Sequence, residues 1–172
     1  MRPELEQEYV QYVRTRLPRL HRTAYALCGD AHKADDIVQV TIAALYLNWK
    51  KISRVENVDG YVHRILVRRY LDERRRWWSR VQLRVDVPEV MPGDAPERHI
   101  AQRDELVSAL RELPKGQRAV LVLRFLNDLS VAETAEAMGC SEGTVKSQTA
   151  RGLAALRVVL KVEQQEAKGR QS

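Results

Sequence analysis

The sequence predicts an all-α protein of two small helical domains joined by a flexible linker, and three observations carry that prediction. Apolar residues recur at three- and four-residue spacing through most of the chain, and no segment sustains the period-two alternation of a half-buried strand. Glycine, serine and aspartate stand where helices would start and stop. Between the periodic segments, residues 79–101 hold Pro88, Pro92, Gly93 and Pro96 with scattered acids and little periodicity, the composition of a linker. The 172 residues suffice for one ordinary domain or two small ones. At 44% apolar and 30% charged residues, the composition is that of a folded soluble chain.

The elements follow in order. A first helix covers about residues 4–27, kinks at Pro18 and ends at Gly29, which tolerates the left-handed conformation of a helix terminus. Asp30 caps a second helix running to about Asn48, whose stripe Ala34, Ile37, Val38, Thr41, Ile42 and Leu45 should be buried. Asp35, Asp36 and Gln39 then fall beside that stripe and face outward. A third helix runs from about Val58 to Trp78, closing a first domain of residues 1–78. After the linker, a second domain of residues 102–162 opens with a helix over Arg103–Leu113. Pro114, suited to a first helical turn, starts another that runs to Leu126. Ser130-Val131-Ala132-Glu133 is a capping box, and the helix it opens stops at Gly139. Ser141 caps the final helix, and residues 163–172 are expected to be a disordered tail. Two helices joined by a short Gly-containing turn make a helix-turn-helix candidate.

Charge is distributed unevenly along the chain. The net charge is +6, and residues 61–80 carry seven arginines against Asp72 and Glu73. Residues 115–172 hold nine basic and six acidic side chains, whereas residues 81–114 hold four basic and seven acidic. Two basic segments separated by an acidic one suit two contacts with a polyanion.

Several function classes are excluded. No run approaches the roughly eighteen apolar residues of a membrane span, and the start MRPELEQEYV lacks the apolar core of a signal peptide, so a cytoplasmic protein is expected. Cys28 and Cys140 are too few for a disulfide framework and read as small packed side chains. The four histidines, His21, His32, His63 and His99, show no ligand spacing, so neither a metal nor a cofactor is expected. Adjacent Asp35 and Asp36 diverge by about 100° on a helix, with no base or phosphate loop nearby, and do not make a catalytic pair. No enzyme is expected.

Two segments carry a nucleic-acid signal. On the final helix, Val145, Thr149, Gly152, Leu153, Leu156 and Leu160 share the side that packs, and Lys146, Ser147, Ala150 and Arg151 share the opposite side. A recognition helix inserts this end into the major groove, where Lys and Arg reach phosphates or guanine edges while Ser and Ala allow close approach. Ser141, Gly143, Thr144 and Gln148 belong to the same candidate surface, and the first-turn N–H groups can receive a phosphate. The third helix, YVHRILVRRYLDERRRWWSR, mixes Arg64, Arg68, Arg69, Arg74, Arg75, Arg76 and Trp77 with Tyr61, Tyr70 and Trp78. Arginines bind phosphates and aromatic rings stack on unpaired bases, so the mixture suits a melted single strand. Each aromatic taken alone reads as packing, and the arginines count as a group.

The string LPKGQRAVLVLRFLNDLSVAETAEAMGCSEGTVKSQTARGLAALR closely resembles domain 4 of the extracytoplasmic-function (ECF) sigma factors, and the combination is most like actinobacterial members. Its landmarks are Leu113-Pro114 with Gln117-Arg118, the Leu-Ser-x-x-Glu-x-Ala run, and Gly143-Thr144-Val145-Lys146-Ser147. The first half resembles domain 2 of that family, with Ala34-Asp35-Asp36-Ile37-Val38-Gln39 matching the segment that binds the polymerase β′ clamp coiled coil. The resemblance implies a sigma factor that binds core RNA polymerase, through the β′ clamp and the β flap, and directs promoter-specific initiation. The helix-turn-helix would read the minus-35 element, and the arginine-rich helix would grip the minus-10 element and aid melting. It implies a monomer when free, and an anti-sigma factor is a compatible further partner. Two positions depart from the family pattern: Val40 stands where many relatives carry an acid, and Arg68 where many carry asparagine. The rivals are a stand-alone helix-turn-helix regulator, which leaves the Asp35–Gln39 segment unexplained, and a nucleic-acid enzyme, which lacks a metal or nucleophile constellation.

Overall fold

A computed structural model of the chain describes residues 1–72 and 100–171. It divides into two compact units, Met1–Arg98 and His99–Ser172. Among the described residues every regular element is helical.

The first unit holds α1 (Pro3–Cys28), α2 (Ala31–Ile52) and α3 (Val58–Leu71). Helix α1 starts with proline in its first turn and with Glu4 and Glu6 against the positive end of its dipole. It continues through Pro18 without interruption and ends at Gly29, whose φ of 64° is left-handed. The Asp30 carboxylate caps α2, accepting from the N–H of His32 at 2.9 Å and of Lys33 at 3.2 Å. Helix α2 outruns its expected end at Asn48 because Trp49 and Ile52, 4% and 1% exposed, extend the buried stripe by another turn. Helix α3 ends at Leu71, short of the expected Trp78, with Asp72 in an extended conformation. An aspartate disfavours the negative end of a helix. The rest of that segment, with most of the expected linker, lies outside the described residues.

The core of this unit is keyed by aromatic rings. Tyr9 meets Tyr46 at 5.1 Å and Trp49 at 5.7 Å, both edge to face. Its hydroxyl donates to the Ile42 carbonyl at 2.9 Å, joining α1 to α2. Asp59, in the first turn of α3, accepts from the Tyr12 hydroxyl at 2.5 Å and pairs with Arg16 at 2.9 Å. Burial first, and then the Asp59 contact, push the Tyr12 hydroxyl above its ordinary range. That network fixes the start of α3 on α1.

The second unit holds α4 (Ile100–Arg111), α5 (Lys115–Leu121), a π-helical turn over Val122–Leu126, α6 (Val131–Met138) and α7 (Glu142–Arg170). Helix α4 begins before the expected Arg103, and residues 100–101, assigned to the linker from sequence, belong to it. Pro114 serves as the residue before the first helical one, not inside the first turn. The π turn was not expected: Asn127 N–H reaches back to the Val122 carbonyl at 3.2 Å, and Arg124 donates to the Leu129 carbonyl at 2.8 Å.

The capping box is complete. Glu133 N–H donates to Ser130 Oγ at 3.0 Å, and Ser130 N–H donates to the Glu133 carboxylate at 2.8 Å. Gly139 closes α6 at φ 68°, and Ser141 Oγ accepts from Thr144 N–H at 3.1 Å to open α7. Val120, Ala135 and Val145 form the small core beneath, with half-buried Cys140 packed against it. At Gly152 a side chain would lie 3.1 Å from Leu121 Cδ1, so glycine lets α5 and α7 approach closely. The tail expected to be disordered from residue 163 instead continues α7 to Arg170. Its residues Glu163, Gln164, Gln165, Glu166, Ala167 and Lys168 are good helix formers, and Lys168 and Arg170 suit the negative end of the dipole.

Candidate nucleic-acid interface

The first candidate surface is the N-terminal half of α7. Val145 is fully buried and Gly152 buried, which turns the other side of the helix outward. Lys146, Ser147, Ala150 and Arg151 are all exposed on that side, with Ser141, Gly143 and Thr144 exposed at the helix start. Ser141 Oγ and its carbonyl take the N–H groups of Thr144 and Val145, which leaves Glu142 and Gly143 amides as first-turn donors without an intrahelical acceptor. The hydroxyls are also engaged locally: Ser141 and Thr144 lie 2.9 Å apart, and Ser147 donates to the Gly143 carbonyl at 3.1 Å. At Gly143 the nearest atom to an added side chain would be 3.8 Å away, so nothing inside the chain requires glycine there. The smooth backbone is available to an outside group.

Gln148 does not join this surface. It is half-buried, its Oε1 is buried without a hydrogen-bond partner, and its Nε2 lies beside Gly116 of α5. Angular position carried a signal of this: at 100° per residue, Gln148 lies about 40° from Gly152 on the packed side.

The second candidate surface is α3. Arg64, Arg68 and Arg69 line an open cleft of about 320 Å³ together with Tyr61 and Ile65. Arg68 is exposed, while Arg64 and Arg69 are half-buried. Burial lowers the Arg69 pKa, and the charge of Asp72 opposes that effect. Val62, Leu66 and Val67 occupy the other side of the helix, all at most 1% exposed. Tyr61, which taken alone reads as packing, is 37% exposed and belongs to the cleft. The spacing Tyr61, Arg64, Ile65, Arg68 places all four on one helical stripe, a pattern legible in the sequence. Arg74, Arg75, Arg76 and Trp77 lie outside the described residues.

The third surface is the start of α2, where Asp35, Asp36 and Gln39 are exposed over the buried Ala34, Ile37 and Val38. Asp35 is not alone: its carboxylate sits 3.2 Å from Nδ1 of His21 on α1, a neighbour the sequence did not reveal. Val40, where the family pattern departs, is half-buried, so the position faces partly inward.

Among the described residues, no group of three or more His, Cys, Asp or Glu is placed to hold a metal ion. No helix there is long and apolar enough to cross a membrane.

Comparison with known proteins brings the three surfaces together. Residues 12–80 match Sigma-70 region 2, and residues 103–156 match Sigma-70, region 4. The chain is 38% identical over 154 residues to the RNA polymerase sigma-E factor of Streptomyces coelicolor, covering 87% of this chain and 84% of that one. It is 30% identical over 138 residues to the ECF RNA polymerase sigma factor SigM of Mycobacterium tuberculosis, covering 80% and 69%. Among solved structures, the sigma factor RpoE of Bartonella quintana, in complex with the anti-sigma factor NepR, is similar with a TM-score of 0.70 and 26% identity. That match covers 91% of this chain and 98% of the other.

Proposed function

The chain belongs to the ECF sigma factors of the sigma-70 family, promoter-recognising factors of RNA polymerase, and from that premise we propose which of its surfaces makes each contact. Lys146, Ser147, Ala150 and Arg151 enter the major groove of the minus-35 element. Ser141, Gly143 and Thr144 bring the amide end of α7 against a phosphate. The observation that carries this reading is the division of α7 into a side where Val145 and Gly152 are buried and an opposite side where Lys146, Ser147, Ala150 and Arg151 are all exposed. The cleft of Tyr61, Arg64, Arg68 and Arg69 grips the minus-10 element once its strands part, the arginines on phosphates and the tyrosine ring on a base. Arg74, Arg75, Arg76 and Trp77 extend that contact. Where many relatives place an asparagine, Arg68 supplies a cation, so its minus-10 preference differs from theirs.

Asp35, Asp36 and Gln39 bind basic side chains of the β′ clamp coiled coil, and the second unit meets the β flap. The free chain is a cytoplasmic monomer without enzymatic activity, cofactor or metal, and an anti-sigma factor is its regulator. The Bartonella relative's complex with NepR supports that last assignment. Residues 79–99 link the two domains, and if fully extended they would reach about 70 Å at about 3.3 Å per residue. Two weak contacts joined in this way act together only when polymerase and promoter present both sites. Free protein therefore binds promoter DNA poorly.

Run-off transcription with core polymerase from the source bacterium, using genomic fragments as templates, tests the whole reading. Transcripts that start at a fixed distance below a shared pair of upstream elements are expected. Tight sequence-specific binding by the free protein as a dimer, with no transcripts on adding core polymerase, would overturn it in favour of a stand-alone regulator.

A further inference from the structure

The first unit carries a second cleft that none of these contacts uses. It has a volume of about 830 Å³ and is lined by Met1 and Arg2 just before α1, Leu5 in its first turn, Tyr46, Leu47 and Lys50 near the end of α2, and Arg54 just beyond it. Leu47 is 58% exposed in it. A lone surface leucine is ordinary, but here Leu5, Tyr46 and Leu47 make a shared apolar floor with three cations at its rim. Among the described residues none that lines the cleft is acidic, and Arg2, Lys50 and Arg54 form no ion pair.

We infer that this cleft is a docking surface for an acidic amphipathic helix of a partner protein. The apolar floor takes leucine-like anchors, and the cations meet carboxylates on either side of the anchor row. Single-stranded nucleic acid is the poorer fit, because Tyr46 is the one aromatic ring among the described residues lining the cleft and it is already packed edge to face on Tyr9. Helix geometry also separates this occupant from the one proposed for the start of α2. Leu47 lies eleven residues after Asp36, and Lys50 eleven after Gln39. Each therefore falls within about 20° of its counterpart and about 16 Å further along the helix. The charge reverses along one face, so a basic helix suited to Asp36 is repelled by Lys50 and Arg54. The cleft calls for a partner of the opposite sign.

The test is a titration of the isotope-labelled full chain, followed by amide NMR. The probe is a helical peptide with leucines at i, i+3, i+4 and i+7 and glutamates on both flanks. Saturable shifts confined to Leu5, Tyr46, Leu47, Lys50 and their neighbours are expected. Leu47→Glu, and separately Lys50→Glu with Arg54→Glu, should each weaken binding about tenfold or more. Because these side chains are exposed, their melting curves should match the parent's, which separates lost docking from lost folding. A peptide with lysine in place of every glutamate should not bind. The proposal is overturned by absent shifts, by binding that ignores the substitutions, or by equal binding of the lysine peptide. It is also overturned if a poly-dT oligonucleotide occupies the same residues more tightly, which assigns the cleft to nucleic acid. Shifts that grow with protein concentration alone would assign it to a second copy of the chain.

Discussion

On α7, Lys146 and Arg151 stand clear of the fold, beside exposed Ser147 and Ala150 and above a fully buried Val145. On α3, Arg64 and Arg69 are half sunk into the unit, and with Tyr61 they wall a cleft. The two units also differ in aromatic content. All six tyrosines and all three tryptophans fall within residues 1–78, whereas Phe125 is the sole aromatic of the second unit. The second unit is built from small aliphatic contacts, neutral serine caps and a close helix crossing at Gly152. These contrasts fit what each surface is proposed to hold. A duplex groove accepts a stiff convex helix whose side chains project outward. An unpaired strand has no fixed shape, and a cleft of cation stems and a ring holds it by enclosing it.

The largest expected effect tests the support beneath the cleft. Leu66 is fully buried under α3, so Leu66→Ala should destabilise the first unit by about 2–5 kcal/mol. Tryptophan fluorescence in a urea titration reads that unit alone, because all three tryptophans lie in it. An unchanged midpoint would mean that α3 is not held by its apolar side, and the contrast with α7 would lose its basis.

Paired alanine substitutions sharpen the comparison next. Lys146→Ala with Arg151→Ala should reduce minus-35-dependent transcription by about tenfold to a hundredfold while moving stability by less than about 0.5 kcal/mol. Arg64→Ala with Arg69→Ala should lower transcription too, and also destabilise the fold by about 1 kcal/mol, because their half-buried stems cover apolar surface. Run-off assays beside urea melts separate the two outcomes. Equal stability losses in both pairs would erase the distinction between a projecting and an enclosing surface.

What the sequence revealed divides along the same line. Helix ends were legible because their chemistry is local: Asp30, Ser130 and Ser141 bond amides two or three residues on, and Gly29 and Gly139 take the left-handed turn. The outward face of α7 was legible because Val145 and Gly152 fix its phase. Features set by a neighbouring helix were not legible. Gln148 turns inward because α5 crosses beside it at Gly116, and Asp35 meets His21 because α1 runs alongside α2. Helix α2 gained a turn because Trp49 found Tyr9 and Tyr12, contacts more than thirty residues apart in sequence.

Smaller effects bear on the second unit's rigid frame. Ser130→Ala removes one half of the capping box and should cost about 1 kcal/mol in thermal or urea unfolding followed by circular dichroism. Gly143→Ala should behave in the opposite way. An added methyl there meets only Ser141 Oγ at 3.8 Å, and alanine favours helix over glycine by up to about 1 kcal/mol. The variant should fold as well as or better than the parent, yet transcribe less from minus-35-dependent promoters, since the methyl stands between the helix and a phosphate. Undiminished transcription would place the Gly143 backbone away from the DNA.

The smallest effect separates the caps of the two units by pH. Helix α2 is capped by an ionisable side chain, Asp30, while α7 is capped by Ser141, which carries no proton that titrates in the acid range. The N–H groups of Lys33 and His32, the former the stronger influence, hold the Asp30 carboxyl below its ordinary value of 3.8. A depressed folded-state pKa contributes stability at pH values above 3.8, and that contribution is lost as the pH falls below 3.8 and through the lower folded value. Asparagine caps as well as aspartate without ionising, so Asp30→Asn keeps the cap and removes the titration. Between pH 5 and 3, roughly the carboxylate range, the parent's fluorescence midpoint should therefore fall more steeply than that of the Asp30→Asn protein. Parallel curves would show that the Asp30 charge contributes nothing beyond a neutral cap, leaving both units capped by hydrogen bonding alone.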